Sequence, residues 1–165
     1  MPMTDRAAKT VLITGLTLVM VMLDQLTKYL VVQQMALHQS IPVIPGFFNL
    51  TRIHNPGGAF GFMAGQSHQI RALLFVAITL AVAAFVLYLY WQTPRRYPWF
   101  LTALALVFSG AVGNLIDRVR EGAVVDFLDF YIHHLHWPAF NVADSAISVG
   151  MAIIIIHLIF KKVPV

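Results

Sequence analysis

Two aspartates set in apolar company, Asp126 in VVDFLDF and Asp144 in FNVADSAI, are the residues of this chain with the plainest chemical potential. Apolar neighbours that hold a carboxylate near a bilayer raise its pKa by desolvation. Two carboxylates brought to one site cannot easily both ionise, so one keeps a proton at neutral pH. That state suits hydrolysis of an amide by water: the ionised acid takes a proton from water, and the neutral one hydrogen-bonds the carbonyl oxygen and then protonates the leaving amine. The bland reading of Asp144 is a helix N-cap worth roughly 1 kcal/mol. Asn141 can fill that role, which leaves Asp144 inside the first turn. The bland reading of Asp126 and Asp129 is an amphipathic edge with acids facing water, and it suits Asp129 better.

Other polar residues stand where they can assist. Asp24 and Lys28 in LDQLTK are one helical turn apart, acid before base, and can pair. The bland alternative is an interfacial ion pair with Lys28 snorkelling outward; the functional one has Asp24 orienting neighbouring polar groups. In SGAVGNLIDR, Gly110, Asn114, Asp117 and Arg118 share a helix face, and Ser109 and Gly113 are small enough to admit a neighbouring helix. An unsatisfied Asn114 amide inside a span is costly, so it must bond a partner such as Asp24 or a carboxylate from another segment. The bland reading there is tight packing with an Asp117–Arg118 surface pair. NPGGAFGF, with Asn55, Gly57 and Gly58, is either an ordinary loop turn or a backbone cradle for an extended peptide, with Asn55 as a donor.

Alternative chemistries are poorly supplied. Cysteine is absent, which removes disulfides, Cys-ligated zinc and a thiol nucleophile. His133, His134 and His136 in YIHHLHW match no metal-ligand spacing, and no cofactor is expected. Ser109 and His157 fall at membrane depths about 10 Å apart, too far for a Ser-His pair. The basic residues form scattered pairs and no stripe, so no nucleic-acid partner is indicated.

The elements that position these groups are membrane spans. Of the 165 residues, 59% are apolar and 11% charged, against about 25% charged in a soluble domain. Four segments meet the length of about 20 apolar residues needed to span: 11–32, 72–91, 99–116 and 142–160. The first is too long for a cleaved leader and lacks its small-residue site. Arg6, Lys9, Arg95, Arg96, Lys161 and Lys162 fall at the termini or in the link QTPRRYP, and this side is expected to be cytoplasmic. The outer loops, 33–70 and 117–140, then carry or border every acidic residue except Asp5. In the first of them IPVIPGFFNLTRIHN partly alternates and is punctuated by Pro and Gly, so short strands are expected. A proton-coupled transporter would spread acids through the bilayer depth, whereas here they gather on one side. A scaffold whose acids only cap and pair is a third reading.

Five blocks in order, LDQLTK, NPGGAFGF, GAVGNLIDR, VVDFLDF and FNVADSAI, resemble those of the bacterial lipoprotein signal peptidase (signal peptidase II) family of membrane aspartyl proteases, over nearly the whole chain. The resemblance implies an α-helical membrane protein of four transmembrane helices with a small extracytoplasmic β-cradle and an interfacial helix, forming a single membrane domain over residues 1–165. It implies a catalytic dyad of Asp126 and Asp144, with supporting roles for Asp24, Lys28, Asn55, Gly57, Gly58, Asn114, Arg118 and Asn141. The implied substrate is a diacylglyceryl-modified prolipoprotein cut just before its lipidated cysteine, in a monomer of the bacterial inner membrane among membrane lipids. Sensitivity to globomycin-type inhibitors is implied as well. The chain departs from the family at Pro56, at Gly58, where Ala is common, and at Ser109–Gly110, where a Gly pair is usual. These changes bear on loop stiffness and leave the two acids untouched.

Overall fold

The computed structural model describes residues 4–57 and 67–160. Four helices hold the apolar runs: α1 (Asp5–Gln34), α2 (His68–Gln92), α3 (Pro98–Glu121) and α4 (Val142–Ile159). All four are long and apolar enough to cross a membrane. Their ends carry the expected signals. Thr4 caps α1 by accepting from Ala7 N. Pro98 opens α3, where a missing N–H costs nothing. Gly122 closes α3 at φ 69°, a left-handed turn that favours glycine, and its N–H bonds Arg118 O. The helix therefore runs past the apolar stretch by a full turn, carrying Asp117 and Arg118 within it.

Helix α3 is the central one. Of its apolar window 61% is buried, against 11–17% for the other three, and it packs on α1, α2 and α4. Small residues allow the close approach. A Cβ on Gly110 would overlap the Ala143 carbonyl oxygen of α4, and one on Gly113 would lie 2.8 Å from the Asp24 carboxylate of α1. Away from the sheet, Ile13, Val86, Tyr90, Phe100, Leu101 and Leu104 belong to one apolar core. There Lys9 Nζ donates to Trp91 O and Thr93 O at 2.8 and 3.0 Å, which satisfies the carbonyl end of α2.

The loops at the other end fold into one antiparallel sheet of order β1-β2-β3-β4: Ser40–Ile44, Phe48–Asn55, Val124–Ile132 and Leu135–His136. Strands β1 and β2 are those expected from the punctuated alternation of the first outer loop. Strand β3 is the VVDFLDF stretch; its first residues, through Phe127, are buried. Below the sheet, Val125 and Phe127 pack on Val31 and Met35 at the end of α1. Arg52 locks this arrangement by donating to Val32 O and Met35 O at 3.1 and 2.7 Å, so a strand side chain satisfies the carbonyl end of α1. An interfacial helix is not among the described elements.

Because the Ala143 carbonyl of α4 occupies the space a Gly110 Cβ would need, the Gly110→Ala variant is expected to be destabilised by about 1–3 kcal/mol through overpacking. The check is thermal unfolding of the detergent-solubilised protein, with Tm falling roughly 2–4 °C per kcal/mol.

Candidate active site

The sheet and the adjoining helix ends gather the polar residues at one place. Its foundation is the Lys28 ammonium, which has three N–H donors. It bonds Asp24 Oδ2 at 2.8 Å, Asp117 Oδ2 at 2.8 Å and Asn114 Oδ1 at 3.0 Å. All four residues are buried. The Asp24–Lys28 pair thus exists as the spacing predicts, but Lys28 does not snorkel; it is 3% exposed. Asp117 likewise forms no surface pair with Arg118 and belongs to the buried cluster. Asp117 and Gln25, whose Nε2 donates to Asp117 Oδ1 at 2.9 Å, are members of the cluster that sequence reasoning did not select. A signal was present: Asp117 is one turn from Asn114 on the face already identified, and Gln25 adjoins Asp24.

Asp24 also reaches α4. Its Oδ1 accepts from Ala143 N at 2.9 Å, so it serves the first turn of α4 alongside the N-cap. Asn141 is that N-cap, and its Oδ1 accepts from Asp144 N at 2.9 Å. Asp144 Oδ2 accepts in return from Asn141 N at 3.3 Å, which completes a capping box. The other Asp144 oxygen accepts from Asn114 Nδ2 at 2.7 Å. Asn114 has therefore found its carboxylate in Asp144 and not in Asp24. Its orientation is fixed, since its oxygen faces the Lys28 cation and its NH2 must face Asp144.

Asp126 comes in from β3. Asn141 Nδ2 donates to Asp126 Oδ1 at 2.8 Å, and Asn55 Nδ2 donates to Asp126 Oδ2 at 3.0 Å. The same Asn141 amide lies 3.2 Å from Asn114 Oδ1. Asn141 thereby touches both acids, one through its side chain and the other through its backbone. Asp126 is 2% exposed, and its carboxyl is pushed up to about 6, first by burial and then by the charge of Asp144; the bonds from Asn55 and Asn141 and the charge of Lys28 act the other way.

Around this pair the predicted supports occupy distinct places. Asn55 ends β2, and its Oδ1 accepts from Gly57 N at 3.0 Å. Gly57 has φ 84°, and a Cβ there would run into the Phe75 ring of α2, so glycine is required. Gly58 lies outside the described residues. Arg118 Nη1 donates to Asn114 O at 3.2 Å, its guanidinium stands 6.0 Å from the Phe75 ring centre, and it is within electrostatic reach of Asp126 and Asp144. Its buried Nε has no partner among the described residues. Asp129, in contrast, does not face water: it is buried and bonds Asn49 Nδ2 at 2.9 Å and His136 Nδ1 at 2.8 Å. His133 and His134 are exposed at the β3–β4 turn. Ser109 bonds Thr17 and the Ala105 carbonyl, while His157 bonds the Ile153 carbonyl.

The chain that brings two acids from separate segments to one end of a four-helix bundle is similar to known proteins. The model of the family described as signal peptidase (SPase) II matches residues 16–160. The chain belongs to the signal peptidase II family. A lipoprotein signal peptidase of Desulforapulum autotrophicum is 56% identical over 146 residues, 88% of this chain and 90% of that protein. One of Syntrophus aciditrophicus is 48% identical over 141 residues, 86% of this chain and 88% of that protein. A solved structure of a bacterial membrane enzyme is 33% identical with a TM-score of 0.75, and the match covers 91% of this chain and 88% of that one. The protein is accordingly a multi-pass membrane enzyme of the aspartic peptidase class, and the transporter and scaffold readings fall away.

The Asn55–Asp126 bond favours the ionised acid, so removing it raises the Asp126 pKa further. Asn55→Ala is expected to lower kcat/KM and to move the alkaline limb of its pH profile to higher pH. A limb that stays in place, measured on purified enzyme with a peptide substrate, contradicts an interaction with the titrating acid.

Proposed function

We propose that this enzyme removes the signal peptide from diacylglyceryl-modified prolipoproteins, cleaving just before the lipidated cysteine, with Asp126 and Asp144 activating water. The observation that carries the reading is the bridging of these two acids, from β3 and from the first turn of α4, by Asn141 and Asn114. The family's relatives are lipoprotein signal peptidases by name. A site at the helix ends suits a substrate whose acyl chains stay in the bilayer while its peptide enters from outside.

In the proposed cycle the pair holds one proton, on Asp126, where burial favours the neutral acid. Asp144 stands in the first turn of α4, where the helix dipole favours negative charge. Water attacks the scissile carbonyl carbon and loses a proton to Asp144. Asp126 hydrogen-bonds the carbonyl oxygen as it becomes negative. The tetrahedral intermediate then collapses: the C–N bond breaks, the amine of the cysteine takes a proton from the dyad, and one proton remains on the pair. Chain residues supply every group these steps use. Asn55 and Arg118 border the dyad and are positioned to meet the peptide backbone.

Orientation follows from charge. Asp5, Arg6, Lys9 and Arg95 lie at the end of the bundle away from the sheet, which by the positive-inside rule is the cytoplasmic end. Both termini are then cytoplasmic and the dyad opens on the extracytoplasmic face of a bacterial inner membrane, with the enzyme acting as a monomer. Globomycin-type inhibitors would occupy the same opening.

The deciding experiment is a gel-shift cleavage assay of purified enzyme on a diacylglyceryl-modified prolipoprotein. Asp126→Asn and Asp144→Asn are each expected to lose at least about 10³-fold in kcat, in line with removal of a general acid or base, while remaining folded and inserted. Turnover by either folded variant at the wild-type rate rejects the dyad. With the wild type, kcat/KM is expected to fall as pH rises above about 6, because the required proton leaves the pair; the apparent value belongs to both acids together.

A further inference from the structure

Strand β3 must deliver Asp126 at a set height against α4, and there it is paired on one side only, with Ile53, His54 and Asn55 of β2 opposite Asp126, Val125 and Val124. On one side the β2–β3 register is irregular between Leu50 and Ile53, and Ile53 is the residue opposite Asp126. A bulge of this kind interrupts the ladder next to Asp126. On the other side β4 pairs only with Tyr131 and Ile132, and the chain returns beside β3 as a single bridge at Leu128. At Val125, immediately before Asp126, two side chains occupy the place of the missing strand. Val125 N donates to Asp117 Oδ2 at 3.2 Å, and Val125 O accepts from Asn141 Nδ2 at 3.2 Å.

Asp117 is well placed to hold that peptide group. It is buried on α3, and the same Oδ2 takes the Lys28 ammonium at 2.8 Å while Oδ1 takes Gln25 Nε2 at 2.9 Å. Its carboxylate cannot turn without breaking one of these bonds. Through Lys28 it is coupled to Asn114, and through Asn114 to Asp144. One carboxylate thus grips the backbone next to one acid and the network that orients the other.

We propose that Asp117 is a positioning residue of the peptidase reaction, fixing the separation of the Asp126 and Asp144 carboxyl groups without itself touching substrate. The proposal rests on the assignment of those two acids made above. A displacement of about 1 Å in such a pair costs on the order of 10²-fold in rate. Neither oxygen of Asp117 is spare, so the uncharged amide of Asn cannot replace it: its NH2 would meet the N–H donors of Gln25, or those of Lys28 and Val125.

The test is steady-state cleavage of a diacylglyceryl-modified prolipoprotein by Asp117→Asn and Gln25→Ala, each with a pH profile. For Asp117→Asn, kcat is expected to fall about 10²-fold, with KM nearly unchanged because no substrate contact is lost. The alkaline limb is expected to move to lower pH, since Lys28, relieved of one counter-charge while keeping Asp24, favours ionised Asp126 more strongly. A loss confined to folded yield, with kcat and the limb at wild-type values, overturns the proposal. Gln25→Ala keeps the Asp117 charge but removes the bond that holds its Oδ1, along with the longer contacts of the same amide to Asp24 and Gly113; the carboxylate can then rotate and slacken its grip on Val125, and a loss of several-fold in kcat is expected. If Asp117→Asn does not fold, unchanged kcat in Gln25→Ala overturns the proposal by itself. Absence of cleavage by folded wild type rejects the underlying reading of the dyad, whereas an active wild type with indifferent variants rejects the positioning role alone.

Discussion

The Lys28 ammonium is the point on which the rest of this structure depends. A buried cation is tolerable only when paired and fully hydrogen-bonded. Lys28 meets both conditions through Asp24, Asp117 and Asn114. Each of those partners is committed elsewhere: Asp24 to the first turn of α4, Asp117 to the peptide before Asp126, and Asn114 to Asp144. Removal of Lys28 leaves the buried carboxylates of Asp24 and Asp117 without their cation, which in a low-dielectric setting costs far more than the pair contributes. The value of the cluster is therefore specificity of arrangement. It allows one mutual placement of α1, α3, α4 and β3, and that placement brings the two acids together.

Such a cluster forms only if the backbones come close, and here the small residues matter. Gly113 leaves the space in which the Asp24 carboxylate lies, and Gly110 lets the Ala143 backbone settle on α3. Ala143 is in turn the residue whose N–H bonds Asp24. Packing and electrostatics are thus one constraint. A side chain at either glycine would push α4 outward and lengthen the hydrogen bonds that give the buried charges their partners. The sheet adds a second anchor through Arg52, which ties the end of α1 to β2, so that Asn55 at the end of β2 reaches Asp126.

Much of this was legible in the chain, for identifiable reasons. Spans follow from length and hydropathy, and the strands of the first outer loop from alternation and Pro–Gly punctuation. The pairing of Asp24 with Lys28 follows from helical spacing. What periodicity could not supply were contacts between segments distant in sequence. Lys28 reads as a snorkelling residue because, within its own helix, it has one counter-ion and a long flexible stem; only α3 reveals that it is enclosed. Asp129 reads as solvated because its partners, Asn49 and His136, come from two other strands. Asp117 was seen on the right face but given the neighbouring Arg118 as partner, because adjacency in sequence is visible and depth is not. At Asp126 and Asp144 spacing alone left a bland reading open beside a working acid, an amphipathic edge for the first and a helix cap for the second, and it was the blocks resembling the family that singled out these two residues.

The capping box that Asp144 forms is compatible with the proposed role as a working acid. As the third residue of α4, Asp144 closes this box with Asn141, and a carboxylate held by that reciprocal pair has its rotamer set by the helix itself. The capping bond uses Oδ2 and is long, 3.3 Å, while Oδ1 is taken by Asn114 at 2.7 Å. Each oxygen still has lone-pair capacity for water, since an ionised carboxylate offers about four acceptor positions. The cap therefore orients the acid without exhausting it. Asn141 makes the same economy possible on the other side: its backbone N–H serves Asp144 while its side-chain amide serves Asp126 and the Val125 carbonyl. A helix start is a rigid feature placed by the whole bundle, and building one acid into it, with the other hung from the adjoining N-cap, transfers that rigidity directly to the proposed dyad.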